Sequence, residues 1–114
     1  MPGYNLKSVL LFCGTHTESE FMVEQAALHA MIYGRVQGVF FRGFVFEKAR
    51  ILELTGSVRN LPAGQVEVKA EGTRENLAKL IGYLKTGPPS AIVTDLKIQW
   101  SSFSGKYPHF TILD

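Results

Sequence analysis

The residues of this chain best suited to chemistry lie in one run, Gly34-Arg35-Val36-Gln37-Gly38-Val39-Phe40-Phe41-Arg42. Its pattern is a strand, a tight turn at Gly38 and the start of a helix. Backbone N–H groups in such a turn can point inward at one spot, and the helix N-terminus adds roughly half a positive charge of dipole there. Arg42, at the mouth of that helix, adds a fixed cation with a planar fork of donors. Together these features suit a tetrahedral oxyanion such as a phosphoryl group. On spacing alone, two glycines around a strand–helix turn are more often turn geometry than a ligand cradle, and an arginine near a helix start is usually solvated. The Gly-x-x-x-x-Gly-Lys-Ser/Thr phosphate loop is absent. A second element changes the balance. In Gly56-Ser57-Val58-Arg59-Asn60-Leu61-Pro62-Ala63-Gly64, Asn60 puts a carboxamide at a strand end just before a turn. By itself Asn60 reads as a turn former.

No other group of residues competes with this pair of segments. His16, His29 and His109 have no ligand-like spacing and no cysteine or carboxylate cluster beside them, so no metal site is expected and all three are read as solvated. Cys13 cannot form an internal disulfide alone, and no neighbouring base or cation marks it as a nucleophile. Phe40, Phe41, Phe44, Phe46, Trp100 and Phe103 are read as core or near-core packing, not as base-stacking platforms. Arg59 points away from the face that carries Asn60, by the period of two in a strand, and is left out of the site. A net charge of +2 suits a small anionic ligand but gives no concentrated basic face for nucleic acid. The apolar run Val9–Cys13 is too short to span a bilayer and lacks the flanks of a signal peptide. The expectation is a cytoplasmic monomer with no nucleic-acid or membrane partner.

The elements that must position these residues emerge from the periodicity. The 114 residues, 46% hydrophobic and 19% charged, fit one globular domain. Residues 1–27 match no strand or helix template and are expected to form an N-terminal extension, poorly ordered, with Met22 a plausible start. A strand is predicted over Leu28–Gln37, with Ala30, Ile32, Gly34 and Val36 on one face, then a helix over Arg42–Leu52 with Phe41, Val45, Ala49 and Leu52 on its apolar stripe. A hairpin follows: Leu54–Asn60, the turn Leu61-Pro62-Ala63-Gly64, and Gln65–Glu71, where Val66, Val68 and Ala70 alternate with polar residues. Thr73 is a fitting N-cap for a second helix with the stripe Leu77, Leu80, Ile81 and Leu84, stopped by Gly87-Pro88-Pro89. Strands over Ile92–Trp100 and His109–Leu113 close the chain. The order is that of an α+β, ferredoxin-like split βαβ sandwich: an antiparallel sheet with two helices on one face, plus a terminal strand. In that fold the first strand and the hairpin share one sheet, so the end of the second strand can lie near the turn after the first.

The joint pattern Gly-Arg-Val-Gln-Gly-Val-x-Phe-Arg, then Val-Arg-Asn, then Gly-x-Val-Glu-Val and Glu-Gly resembles the acylphosphatase family, as does Gly87-Pro88-Pro89-x-Ala91. The resemblance covers about residues 28–114. It implies hydrolysis of the carboxyl–phosphate bond of acyl phosphates, with no metal, no cofactor and no covalent intermediate. It further implies that Arg42 binds the phosphoryl group and that Asn60 orients the attacking water. The turn Gln37, Gly38, Val39, Phe40 and Phe41 would be the backbone cradle for phosphate or another oxyanion. The chemistry agrees: a carboxylate leaves readily, so positioning and charge stabilisation suffice and a strong general acid is not needed.

Two departures from the family pattern stand out. Glu53 occupies a position where a glycine commonly closes the first helix, and costs about 1 kcal/mol there if its backbone is left-handed. Ser57 replaces the usual aromatic before Val-Arg-Asn. Two other functions share this element order. An RNA-recognition sheet would carry aromatics on its third strand, whereas Gln65–Glu71 has none and holds two acids. A carbamoyl-phosphate-binding module of the hydrogenase-maturation carbamoyltransferases would use the same residues inside a much longer chain. A chain ending at Asp114 favours the hydrolase.

Overall fold

The structure, a computed structural model, describes residues 23–114. The readings made for Cys13, His16 and a start at Met22 lie outside the described residues. The elements are β1 (Gln25–Arg35), α1 (Phe41–Ile51), β2 (Thr55–Asn60), β3 (Val66–Thr73), α2 (Arg74–Thr86), β4 (Ile92–Ser102) and β5 (Phe110–Ile112). β1 starts at Gln25, so the boundary expected after residue 27 falls inside the strand. Ala26 and Ala27 are buried there, and the ladder to β3 runs from Gln25 opposite Thr73. Alanines carry little strand preference of their own; the partner strand makes them one.

The strand order is β4-β1-β3-β2-β5. β1 is antiparallel to both β3 and β4, and β2 is antiparallel to β3. β5 runs parallel to β2, so the sheet is mixed where an antiparallel one was expected. The cause is topological. β4 and β5 occupy opposite edges, so residues 103–109 must cross one end of the sheet, and the chain then enters β5 in the direction of β2.

Both helices cover one face. Leu28, Ala30, Ile32, Val58, Val66, Val68 and Ala70 meet Phe41, Val45, Ala49, Leu77, Leu80 and Leu84 in a single buried cluster. Each fully buried Val, Leu, Ile or Phe among them contributes about 1.5–3 kcal/mol, so this layer, more than helix propensity, fixes where α1 and α2 lie. On the open face His29 is not simply solvated: its Nε2 lies 2.8 Å from Glu67 Oε2, and Arg59 Nε lies 2.7 Å from Glu67 Oε1. The His29 hydrogen bond, seconded by Arg59 against the cost of burial, holds the Glu67 carboxyl below its ordinary range.

These directions define two ends. β1, β2 and β5 all finish at one end, where α1 begins. β3 and β4 finish at the other, where α2 begins under its Thr73 cap and the 103–109 crossing is pinned to Glu71.

Candidate functional site

β1 ends at Arg35, and the chain turns through Val36–Phe40 before α1. Gly38 has φ 75° and nothing near the place of a Cβ. Phe40, the N-cap of α1, is left-handed with φ 66° and ψ 27°. For a bulky L-residue that conformation costs about 1–2 kcal/mol, and such strain clusters at functional sites. The cap offers no side-chain hydrogen bond, and the first turn of α1 holds no acid. Among the described residues, no side-chain cap and no acid of that turn meets the helix dipole and its orphan N–H groups.

Arg42 projects from the first turn of α1, and its Nη1 donates to the Leu113 carbonyl at 2.8 Å. The guanidinium is thereby steered by the segment after β5, 71 residues away in the chain. Asn60 ends β2. Its Oδ1 is buried, with no hydrogen-bond partner among the described residues, an arrangement that costs about 1–3 kcal/mol unless something fills the place. Gln37 acts through its side chain: Nε2 donates to the carbonyls of Leu61 and Gln65 at 2.8 and 2.9 Å. It ties the turn after β1 to the hairpin that carries Asn60. Arg59 lies on the far face, in its pair with Glu67, as strand alternation requires.

A cleft of about 290 Å³ is lined by Gly38, Phe40, Phe41, Arg42 and Asn60, together with Val36, Gly43 and Ile112. Of the expected cradle residues, Gln37 and Val39 lie outside this lining, and Val39 packs on the core. Phe41 is buried, and Phe44, Phe46 and Trp100 are partly buried, in keeping with packing roles. Phe40 and Phe103 are corrections to that reading, at 69% and 40% exposed. The sequence offered one missed signal in Gly43: a glycine inside a helical turn often marks a close approach, and here the Phe40 ring lies where a Cβ would stand. Nothing in the sequence marked Ile112 as lining the cleft or the Leu113 carbonyl as a partner of Arg42, because both are placed only through the β2–β5 pairing.

A slightly larger hollow, about 340 Å³, sits at the opposite end beneath Ser104–Tyr107. Its Glu71 carboxylate is already committed, accepting from Ser104 N and Oγ and from Gly105 N. Burial raises the pKa of Glu71, but these donors outweigh it and hold the group below its ordinary value.

The acylphosphatase family profile matches residues 28–112, three quarters of the sequence and every residue of the cleft. The chain belongs to the acylphosphatase family. A curated protein of Methylococcus capsulatus named acylphosphatase is 43% identical over 86 residues, covering 75% of this chain and 94% of that one. The crystal structure of acylphosphatase from Bacillus subtilis superposes with a TM-score of 0.76 at 35% identity, over 78% of this chain and 99% of that one. Full-length HypF in its phosphate- and nucleotide-bound form is similar with a TM-score of 0.71 at 27% identity, over 82% of this chain but 12% of that longer one.

Proposed function

We propose that this family member hydrolyses acyl phosphates to carboxylate and inorganic phosphate, with Arg42 and Asn60 in the reacting centre. The observation that carries the reading is the shared cleft, where the Arg42 guanidinium, the start of α1, which has no side-chain cap among the described residues, and the Asn60 side chain line one space. Arg42 and the N–H groups of the turn through Gly38 to Phe41 hold the equatorial phosphoryl oxygens. The Asn60 carboxamide holds the attacking water and lines it up on phosphorus. The water oxygen bonds to phosphorus, the phosphorus–acyl oxygen bond breaks, and its electron pair leaves with the carboxylate. The amide has no useful pKa, so the water proton passes to a phosphoryl oxygen of the substrate itself, giving dihydrogen phosphate. Gln37 takes a positioning role through its brace.

The same reading makes the protein a cytoplasmic monomer that acts on a small molecule and has no nucleic-acid or membrane partner. Its net charge of +2 fits an anionic small-molecule substrate. Among the described residues no helix is long and apolar enough to cross a membrane.

The test follows hydrolysis of benzoyl phosphate by absorbance, with a chelator present, alongside circular dichroism. Folded Arg42→Ala and Asn60→Ala are each expected to lose about 100- to 1,000-fold in kcat. Arg42→Lys keeps the charge but loses the fork, and is expected to fail nearly as badly. A folded native chain without turnover overturns the hydrolase. If it still bound inorganic phosphate through Arg42, a phosphate-binding module would replace it.

A further inference from the structure

Arg42, Asn60 and the turn account for the phosphoryl end of the cleft, and what remains of its lining is apolar. Val36 and Phe41 are buried, at 1% and 2% exposed, while Gly38 and Gly43 have no side chain to offer. Phe40, at 69% exposed, and Ile112, at 41%, are thus the apolar side chains that face an occupant beyond the phosphoryl group. Their placement is not incidental. The left-handed backbone of Phe40 throws its ring back over Gly43, where any larger residue would collide with it. That lays the ring along the first turn of α1, beside Arg42. Ile112 precedes Leu113, whose carbonyl holds the Arg42 guanidinium. Both apolar groups therefore flank the arginine, one from the helix side and one from β5.

We infer that Phe40 and Ile112 form the wall that receives the acyl group, and that the preferred substrates are phosphates of apolar, above all aromatic, carboxylic acids. This rests on the acyl phosphate hydrolysis proposed above. A flat apolar acyl group gains ring-to-ring contact with Phe40 and removes Ile112 from water, whereas a methyl or charged acyl group gains little from either. Because the wall stands at the exposed rim, the released carboxylate leaves directly into solvent.

The experiment compares kcat/KM for benzoyl phosphate and acetyl phosphate in the native chain, Phe40→Ala and Ile112→Ala. Both substrates carry the same phosphoryl group, so damage to the cradle scales both rates and cancels in their ratio. The native ratio favours benzoyl phosphate. It is expected to fall about tenfold in Phe40→Ala, as loss of one aromatic contact implies, and about threefold in Ile112→Ala. An unchanged ratio in both variants removes the wall and leaves the hydrolase standing. No turnover of either substrate by the folded native chain removes the hydrolase itself. Ile112 sits on a short, partly exposed edge strand, so its variant tests the wall even if Phe40→Ala fails to fold.

Discussion

The two ends of the sheet are built to different standards. At the end where β1, β2 and β5 finish, α1 starts from a left-handed Phe40 and, among the described residues, has no side-chain cap, and the buried Asn60 oxygen has no partner there. At the opposite end, α2 starts under Thr73, whose Oγ1 accepts from Asn76 N, with Glu75 in its first turn. There, too, Glu71 accepts from Ser104 N, Ser104 Oγ and Gly105 N of the crossing loop. Even the other left-handed residue, Glu53 with φ 57°, belongs to a closed motif: Leu54 N donates to Ala49 O and Glu53 N to Arg50 O, which satisfies the last carbonyls of α1. One end has met its hydrogen-bonding needs internally. The other leaves the donors and dipole of a helix start without a side-chain cap beside a single cleft lined by Arg42 and Asn60, which is what binding an anion requires.

The sharpest way to break this contrast is to neutralise the open helix start. Gly38 has room for a side chain and a backbone that Asn or Asp tolerates. Gly38→Asp is expected to lower kcat/KM at least about 100-fold more than Gly38→Asn, since a like charge a few ångströms from the phosphoryl group costs several kcal/mol. Equal losses would mean that shape, not the field at the helix start, governs the site.

The brace comes next in size. Gln37→Leu removes one donor from each of the Leu61 and Gln65 carbonyls, which keep Gly64 N and Leu61 N, and is expected to lower stability by about 1 kcal/mol. Its kcat is expected to fall about tenfold, and that loss should vanish in the Asn60→Ala background if Gln37 acts by holding the hairpin. A loss that persists in full there would detach Gln37 from Asn60.

Smallest are the changes at the closed end. Glu53→Gly is expected to raise stability by about 1 kcal/mol in urea unfolding, and Thr73→Ala to lower it by about 1 kcal/mol. Both should leave kcat/KM within about twofold, because neither touches the cleft. A kinetic effect of either would show that the two ends communicate.

Much of this was legible in the residues. Period-two alternation marked Val66, Val68 and Ala70 as the inner face of β3. The four-four-three spacing of Phe41, Val45, Ala49 and Leu52 marked the buried side of α1, though Leu52 ended only partly buried. Gly87 and Thr73 bounded α2 where capping chemistry says they should. Less was legible where small residues carry weak preferences, as at Ala26 and Ala27, or where one aromatic among several turns outward, as Phe40 does.

By itself the sequence determined the element order, the inner faces and the identity of Arg42 and Asn60 as candidates, because periodicity, caps and a nine-residue motif are local properties of the chain. The tertiary structure decided what the chain cannot encode locally. It set β5 parallel on the edge beside β2, brought the Leu113 carbonyl to Arg42, joined Gln37 to the hairpin and left Phe40 and Ile112 facing the cleft. Each of these depends on which strand edge is left open once the others have paired, and that is settled by burying the shared apolar face, not by any run of neighbouring residues.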